Sequence, residues 1–265
     1  MKKGVLLTAA KYFCGVGVGV LWGTLSGDMM NGYLGLSTMA IIAAMTNGNG
    51  GMYAALTGQY GNRSDVGAVA VLSLNDGPFF TLMALGMLGA NFPIIAFVAV
   101  LLPIGIGMLL GSLDPDIRSF LKPGESLPIP FFAFALGAGM NFATFFNPKV
   151  VVAGVTLGLM TVVLTALTGI ITFWIFREKS QIAPVAEAST AGNAVGTPAA
   201  IAAAASVAAG AGMMTPAEAQ AYKNLVEIAT LQVSLSTLTT AILCPFAVIM
   251  MDKWQKSRGI DAKAE

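Results

Sequence analysis

The chain has no histidine and only two cysteines among its 265 residues. Without histidine it has neither an imidazole acid or base nor the commonest metal ligand. Cys14 and Cys244 stand alone in apolar stretches, without the CxxC spacing of redox or metal sites, so we expect small buried hydrophobic residues. We therefore expect no enzyme, no bound metal and no cofactor.

Charge is scarce as well. Only 10% of the residues are charged, against about 25% in soluble domains, whereas 56% are hydrophobic and the mean hydropathy is +0.77. The net charge of +1 gives no indication of a nucleic-acid partner. The composition predicts an all-α integral membrane protein, because a bilayer-spanning helix satisfies its own backbone hydrogen bonds.

Long apolar runs are what the chain does have. A helix that crosses the bilayer needs about 20 predominantly apolar residues. Eight stretches qualify, at about 4–23, 35–60, 66–89, 92–112, 128–147, 150–176, 181–213 and 224–251. We expect a single transporter domain over 1–265, with core helices in 4–89 and 150–251 and scaffold helices in 92–147.

The basic residues test this count, because lysine and arginine accumulate in cytoplasmic loops. If successive loops alternate between sides, one side receives Lys2, Lys3, Arg63, Arg118, Lys122, Arg177, Lys179, Lys253, Lys256, Arg258 and Lys263. The other side receives only Lys149 and Lys223, and Lys11 falls inside a span. The bias favours eight spans with both termini in the cytoplasm.

Two spans are interrupted by polar, glycine-rich runs, Thr46–Gly51 and Ser189–Pro198. Unwound backbone is tolerated in a bilayer only where protein or a water-filled cavity satisfies it, so such a pair indicates a substrate site near the midplane. Each broken span is followed by another span, and the two units run in opposite directions. This pattern predicts an inverted repeat.

Each interruption has the chemistry of helix ends. Asn49 and the pair Thr197-Pro198 are suited to open second half-helices, whose N-termini attract anions. Carbonyl ends near Thr46 and Thr190 attract cations. The predicted substrate-binding residues are Asn47, Asn49, Gly50, Gly51, Asn193, Gly196, Thr197 and Gln232. The alternative is that these glycines only allow close helix packing.

Intramembrane acids are the remaining candidates, since a charge at the bilayer centre costs at least about 2.5 kcal/mol. Asp76 precedes Gly77-Pro78 at mid-span and is the leading proton carrier, although a static hydrogen-bonded carboxylate is the alternative. Glu187 lies about one turn before the second interruption. The predicted proton or cation coupling residues are Asp76, Glu187, Thr46 and Thr190. Lys11 could pair with a substrate carboxylate, but we expect a structural, snorkelling side chain.

Several motifs together resemble the 2-keto-3-deoxygluconate permease family. They lie in the segments 35–40, 43–47, 50–54, 59–61, 73–78, 113–118 and 129–137. The resemblance implies a bacterial inner-membrane carrier that takes up 2-keto-3-deoxygluconate with protons. It also implies a fold similar to bile-acid/sodium-symporter-like carriers, with ten helices in two inverted five-helix repeats and two crossing broken helices.

Two departures from that pattern are visible. The chain resembles helices three to ten, without the usual first two, and Asp76 stands where the family often has glutamate. The expected partners are a sugar acid and the lipid bilayer, with a homo-oligomer left open. Two alternatives also stay open: a sodium-coupled carrier of another organic anion and a non-transporting subunit. A membrane-embedded hydrolase could use Asp76 with a second acid, but the sequence has no paired-acid motif of suitable spacing, and a hydrolase would leave the two broken spans unexplained.

Overall fold

The computed structural model of the chain describes residues 1–125, 127, 129–138 and 142–263. Within them the chain forms helices and turns and no strand. The α-helices are α1 (Lys2–Ser26), α2 (Thr38–Thr46), α3 (Gly50–Tyr60), α4 (Arg63–Gly67), α5 (Val69–Leu72), α6 (Phe79–Met87), α7 (Ile94–Leu113), α8 (Pro115–Leu121), α9 (Ile129–Ala138), α10 (Pro148–Met160), α11 (Ala166–Ile175), α12 (Ile182–Ala186), α13 (Thr197–Gly210) and α14 (Pro216–Ser257).

Five helical stretches of the described part are long and apolar enough to cross a membrane. They are Lys2–Ser26, Ile94–Leu113, Pro148–Ile175, Asn193–Gly210 and Pro216–Ser257. A sixth crossing results if the pair Arg63–Asn75 and Phe79–Met87, bent by 59°, forms one span. These helices agree with an all-α membrane protein. Judged by length and composition, however, the described residues contain five or six possible spans and not the predicted eight.

The missing spans have identifiable causes. The predicted span 35–60 consists of α2 and α3, which have only 9 and 11 residues, so neither half is long enough alone. The predicted span 128–147 contains α9 and a short 3₁₀ turn at Phe142–Phe146, and residues 139–141 between them lie outside the described part.

Glycines let two pairs of helices approach closely. A Cβ added at Gly15 of α1 would lie 2.9 Å from the Thr46 methyl group, and one at Gly19 would lie 2.7 Å from Ile42. Gly158 of α10 similarly faces Thr239 of α14, 2.6 Å from the position of an added Cβ. Small residues four apart are typical of close helix packing in membranes. These glycines therefore bring α1 close to α2 and α10 close to α14.

The connections gather at two opposite ends of the bundle. At one end, ion pairs of 2.7 Å join Lys2 to Glu178 and Lys3 to Asp65. Nearby, the Gln181 backbone N–H donates to the Gln255 side chain at 2.6 Å. The N-terminus, the segment before α12 and the end of α14 therefore share one end.

Candidate functional site

The interruptions of the two broken helices meet inside the molecule. The Ala191 backbone N–H donates to the Asn47 carbonyl at 3.1 Å, and the Asn49 N–H donates to the Ser189 hydroxyl at 3.1 Å. Asn47 and Ser189 are fully buried. The unwound backbone of each helix is thus satisfied by the other, as a bilayer interior requires.

Side chains cap the free backbone groups around this crossing. The Asn49 side chain accepts from the Met52 N–H at 3.0 Å, so α3 begins at Gly50 with the predicted cap. The Thr190 N–H donates to the Thr240 hydroxyl of α14 at 3.0 Å. The Thr190 hydroxyl shares a 2.8 Å hydrogen bond with Ser236, also on α14. Helix α14 therefore holds the second interruption in place.

A buried hydrogen-bond chain links the crossing to the bend before α6. The Asn75 side-chain oxygen accepts from the Gly48 N–H at 3.3 Å, and the Asn75 amide donates to Glu187 Oε1 at 3.0 Å. A Cβ at Gly48 would overlap the Glu187 carboxylate, so this position accommodates only glycine. Sequence reasoning missed Gly48 and Asn75 as site residues, although both lie inside motifs that it singled out.

Lys11 reaches the crossing from α1. Its ammonium donates to the Glu187 carbonyl at 2.5 Å and to the Ser189 carbonyl at 2.7 Å, and lies 3.6 Å from Glu187 Oε1. Only 2% of Lys11 is exposed. The expectation that it snorkels toward water was therefore wrong. The carbonyls of Glu187 and Ser189, just after the end of α12, carry partial negative charge and attract the ammonium inward.

Asp76 lies on the accessible side of the crossing, half-buried. Its Oδ2 atom is 4.0 Å from the position of an added Cβ at Gly50, the first residue of α3, and the Asn193 side chain faces its carboxyl group. Asn49 is half-buried, whereas Gly51 and Asn193 are exposed. We call Asn49, Gly50, Gly51, Asp76 and Asn193 the polar face.

Other predicted residues lie elsewhere or make different contacts. The Thr46 hydroxyl is buried and donates to the Ile42 carbonyl of its own helix at 2.7 Å. Gln232 donates to the Gly35 carbonyl at 2.9 Å, before the start of α2. Gly196 is half-buried and belongs to a 3₁₀ turn, Asn193–Gly196.

The predicted cap at Thr197 was wrong. The 3₁₀ turn at Asn193–Gly196 runs directly into α13, so Thr197 is already helical and its side chain makes no capping hydrogen bond. Proline at the next position is compatible with this start, because its missing N–H would be unpaired in the first turn of α13. The ordered second half therefore begins about one turn earlier than predicted, beside the polar face.

Buried acceptors at the crossing have unused capacity. Asn47 Oδ1 and Glu187 Oε2 have no hydrogen-bond partner among the described residues, and the buried Thr197 hydroxyl has none there either. Buried polar atoms are normally paired, so these atoms are available to a small polar ligand.

A family model described as 2-keto-3-deoxygluconate permease matches residues 1–257. The chain is 46% identical over 259 residues to 2-keto-3-deoxygluconate permease 1 of Salmonella typhimurium, covering 96% of this chain and 74% of that protein. The chain belongs to the 2-keto-3-deoxygluconate permease family. Family membership confirms the resemblance seen in the motifs and identifies a permease rather than an enzyme.

Two further permeases show how much of their length this family member spans. The 2-keto-3-deoxygluconate permease of Pectobacterium carotovorum is 41% identical over 202 residues, which cover 75% of this chain and 63% of that protein. The permease of Escherichia coli K12 is 36% identical over 233 residues, covering 88% and 65%. No solved structure matches the chain.

Within this family member, the 73–78 motif carries two groups of the site. Asn75 points to the buried Glu187, and Asp76 lies at the polar face. The backbone changes from the 3₁₀ turn Ser73–Asn75 to an extended conformation at Asp76, which directs the two consecutive side chains to different parts of the crossing. Gly77 follows with φ of +92°, a left-handed conformation that favours glycine.

Proposed function

We propose that the chain is the transport unit of a secondary active carrier that takes up 2-keto-3-deoxygluconate by proton symport. The substrate is inferred from the names of its relatives. The observation that carries the mechanism is the meeting of two helix interruptions in the protein interior, with a carboxyl group beside them. Transporter sites near the bilayer midplane have this construction.

The polar face offers both parts of a site for a sugar acid. The N-terminus of α3, at Gly50 and Gly51, directs backbone N–H groups and the positive end of the helix dipole toward an anion. The side chains of Asn49 and Asn193 supply amide groups for sugar hydroxyls. We therefore assign substrate binding first to these residues, with Asn47, Gly196, Thr197 and Gln232 as further candidates.

Asp76 supplies the coupling. A substrate carboxylate at Gly50 would lie close to the Asp76 carboxylate, and two like charges in a confined site repel each other. The sugar acid therefore binds more tightly when Asp76 is protonated, and by reciprocity substrate binding favours the protonated form. The proton and the anion then cross together. Glu187, held by Lys11 and Asn75, is the second acidic candidate, and Thr46 and Thr190 belong to the same proposed coupling region.

The proposed movement is alternating access in the bacterial inner membrane, in which the core helices of 4–89 and 150–251 move against the scaffold helices of 92–147. In this scheme the eight predicted segments span the membrane, both termini face the cytoplasm, and the two broken helices form the core. Close packing of α2 against α1 and of α10 against α14, together with the hydrogen bonds between the two interruptions, makes the core a unit that can move as a body.

Uptake into proteoliposomes tests this function. We expect labelled 2-keto-3-deoxygluconate to accumulate under an inward proton gradient, and the accumulation to disappear with a protonophore. Replacing sodium with potassium at fixed pH should leave uptake unchanged. Uptake that depends on sodium would instead favour a sodium-coupled carrier. Binding without counterflow of labelled substrate would favour a non-transporting role.

A further inference from the structure

The Lys11 ammonium occupies a position that has the ligands of a cation site. Two backbone carbonyls, of Glu187 and Ser189, accept from it at 2.5 and 2.7 Å, and Glu187 Oε1 lies at 3.6 Å. The ammonium therefore donates two hydrogen bonds to the carbonyls and forms an ion pair with the carboxylate. Carbonyl oxygens of an unwound helix end, together with a carboxylate, are also the groups that coordinate sodium in transporters.

The remaining contacts fix the oxygens independently of the lysine. The Asn75 amide donates to Glu187 Oε1 at 3.0 Å, and the Ser189 hydroxyl accepts from the Asn49 N–H at 3.1 Å. The carbonyl of Asn47, in the interruption of the other broken helix, accepts from the Ala191 backbone N–H at 3.1 Å. The carbonyls and the carboxylate therefore keep their positions through both broken helices, whereas the cation comes from α1.

We infer that Lys11 is a tethered cation that fills a monovalent-cation site, so that the native protein binds no sodium there and loss of the amine opens the site to small free cations. The inference deepens the proposed function, because it concerns the ion specificity of the carrier. The cation site itself does not require that the chain transports a sugar acid. The chemical class of the free ligand is a small monovalent cation, such as sodium, lithium or ethylammonium.

Thermal unfolding of the purified, detergent-solubilised chain tests this without transport. A ligand that binds only the folded state raises the unfolding midpoint with its concentration. We expect no difference between sodium and N-methylglucamine at constant ionic strength for the native chain. For Lys11→Ala we expect a saturable rise with sodium, lithium or ethylammonium, of about 3 °C at ten times the dissociation constant.

Two variants serve as controls. Lys3 is a second buried lysine of the same helix, 2.7 Å from Asp65, so Lys3→Ala removes a buried ammonium away from the crossing. We expect no sodium-dependent rise for Lys3→Ala. Adding Glu187→Gln to Lys11→Ala should remove the rise, because the carboxylate ligand is lost.

Two results of the thermal unfolding experiment overturn the inference. One is a sodium-specific, saturable stabilisation of the native chain, and the other is a folded Lys11→Ala variant that no small monovalent cation stabilises. If Lys11→Ala does not survive purification in N-methylglucamine, purification in sodium or ethylammonium decides. Recovery of monodisperse protein in either salt supports the inference, and failure in both overturns it.

Failure of the proposed function remains distinguishable. If the native chain in proteoliposomes transports no 2-keto-3-deoxygluconate while Lys11→Ala is still stabilised by sodium, the cation site stands and the transport proposal falls. If uptake is proton-driven but no cation raises the unfolding midpoint of Lys11→Ala, the transport proposal stands and the cation site falls.

Discussion

Asp76 lies beside the first residue of α3, half-buried and facing Asn193. An asparagine at this position keeps the size and polarity of the side chain but cannot carry a proton on and off. In the proposed mechanism the carboxyl group has a role that its amide cannot perform, so the change separates proton coupling from substrate binding.

For Asp76→Asn we expect the pH-driven accumulation ratio of 2-keto-3-deoxygluconate to fall to about 1, because binding of the anion is no longer linked to a proton. Exchange of labelled for unlabelled substrate across proteoliposomes should persist. The matched control is Asp116→Asn in the exposed helix α8, which should accumulate substrate normally. Normal pH-driven accumulation by Asp76→Asn would refute the assignment.

Gly48 is a second residue whose identity follows from its contacts. An added methyl group there overlaps the Glu187 carboxylate, which Asn75 and Lys11 hold in place. We expect Gly48→Ala to lower the free energy of unfolding by about 1 to 3 kcal/mol, the usual cost of overpacking a rigid site. The unfolding midpoint of the detergent-solubilised protein measures this change.

Gly58 provides the comparison for that substitution. It lies in the last turn of α3, is exposed, and an added Cβ would meet no atom within 4 Å. Gly58→Ala should leave stability unchanged or raise it by up to about 1 kcal/mol, because alanine favours the helix. Equal destabilisation by both substitutions would show that the crossing does not constrain Gly48.

At the scale of elements, α1 is the helix that holds α2 in place. Gly15, Gly19 and Gly23 are four residues apart and all face α2 or the turn before it. The Thr38 hydroxyl donates to the Gly19 carbonyl at 3.1 Å, which fixes the helices at the level where α2 begins. The position of α2, the first half of the broken helix, thus depends on the glycine-lined face of α1.

We expect Gly19→Leu to separate α1 from α2, because an added Cβ already lies 2.7 Å from the Ile42 side chain. The overpacking should cost about 1 to 3 kcal/mol of stability and reduce substrate binding with it. Ligand-dependent thermal shifts measure both effects. Gly17→Leu on the same helix, where no atom lies within 4 Å of the added Cβ, should change neither. Equal losses in the two variants would contradict this role of α1.

The elements also show how far the sequence alone leads. The interruption at Asn47–Asn49 and the Asn49 cap are local, because an asparagine followed by two glycines stops one helix and starts another within a few residues. The bend before α6 is also local and follows from Gly77-Pro78. Family motifs identified the permease. These features required no knowledge of what the rest of the chain contacts.

Long-range contacts were not predictable in the same way. Lys11 is 176 residues from the Glu187 carbonyl that it contacts, and hydropathy alone places a lysine near a helix end at the membrane surface. The fit of Gly48 against Glu187 and the pairing of Asn75 depend equally on how the two broken helices cross. Thr197-Pro198 has the composition of a helix start, but the preceding 3₁₀ turn moved that start to Asn193.

At the scale of the whole molecule, the two ends of the bundle give a test of orientation. The end that contains Lys2, Glu178 and Gln255 is proposed to face the cytoplasm, while the segment before α2, with the exposed Tyr33, lies at the other end. Because short basic segments remain in the cytoplasm, the two ends should react differently with a membrane-impermeant thiol reagent.

After replacement of Cys14 and Cys244 by alanine, we expect Tyr33→Cys to be labelled in intact spheroplasts. Arg258→Cys, next to the end of α14, should be labelled only after the membrane is permeabilised. Labelling after permeabilisation in both variants is the control for reactivity. The opposite pattern would mean that the orientation is the reverse of the one proposed. Labelling of both variants in intact spheroplasts would show that the end of α14 does not lie in the cytoplasm.

The mutual hydrogen bonding of the two interruptions has a consequence for biogenesis. Asn47 leaves the ribosome well before Ala191 and Ser189, the residues whose groups satisfy its backbone and that of Asn49. During synthesis the first discontinuous helix therefore has no permanent hydrogen-bond partner in lipid. Either the first discontinuous helix inserts late, or the insertion machinery shields its unpaired backbone groups until the second discontinuous helix arrives. A ribosome stalled between the two would leave a nascent chain exposed to membrane proteases.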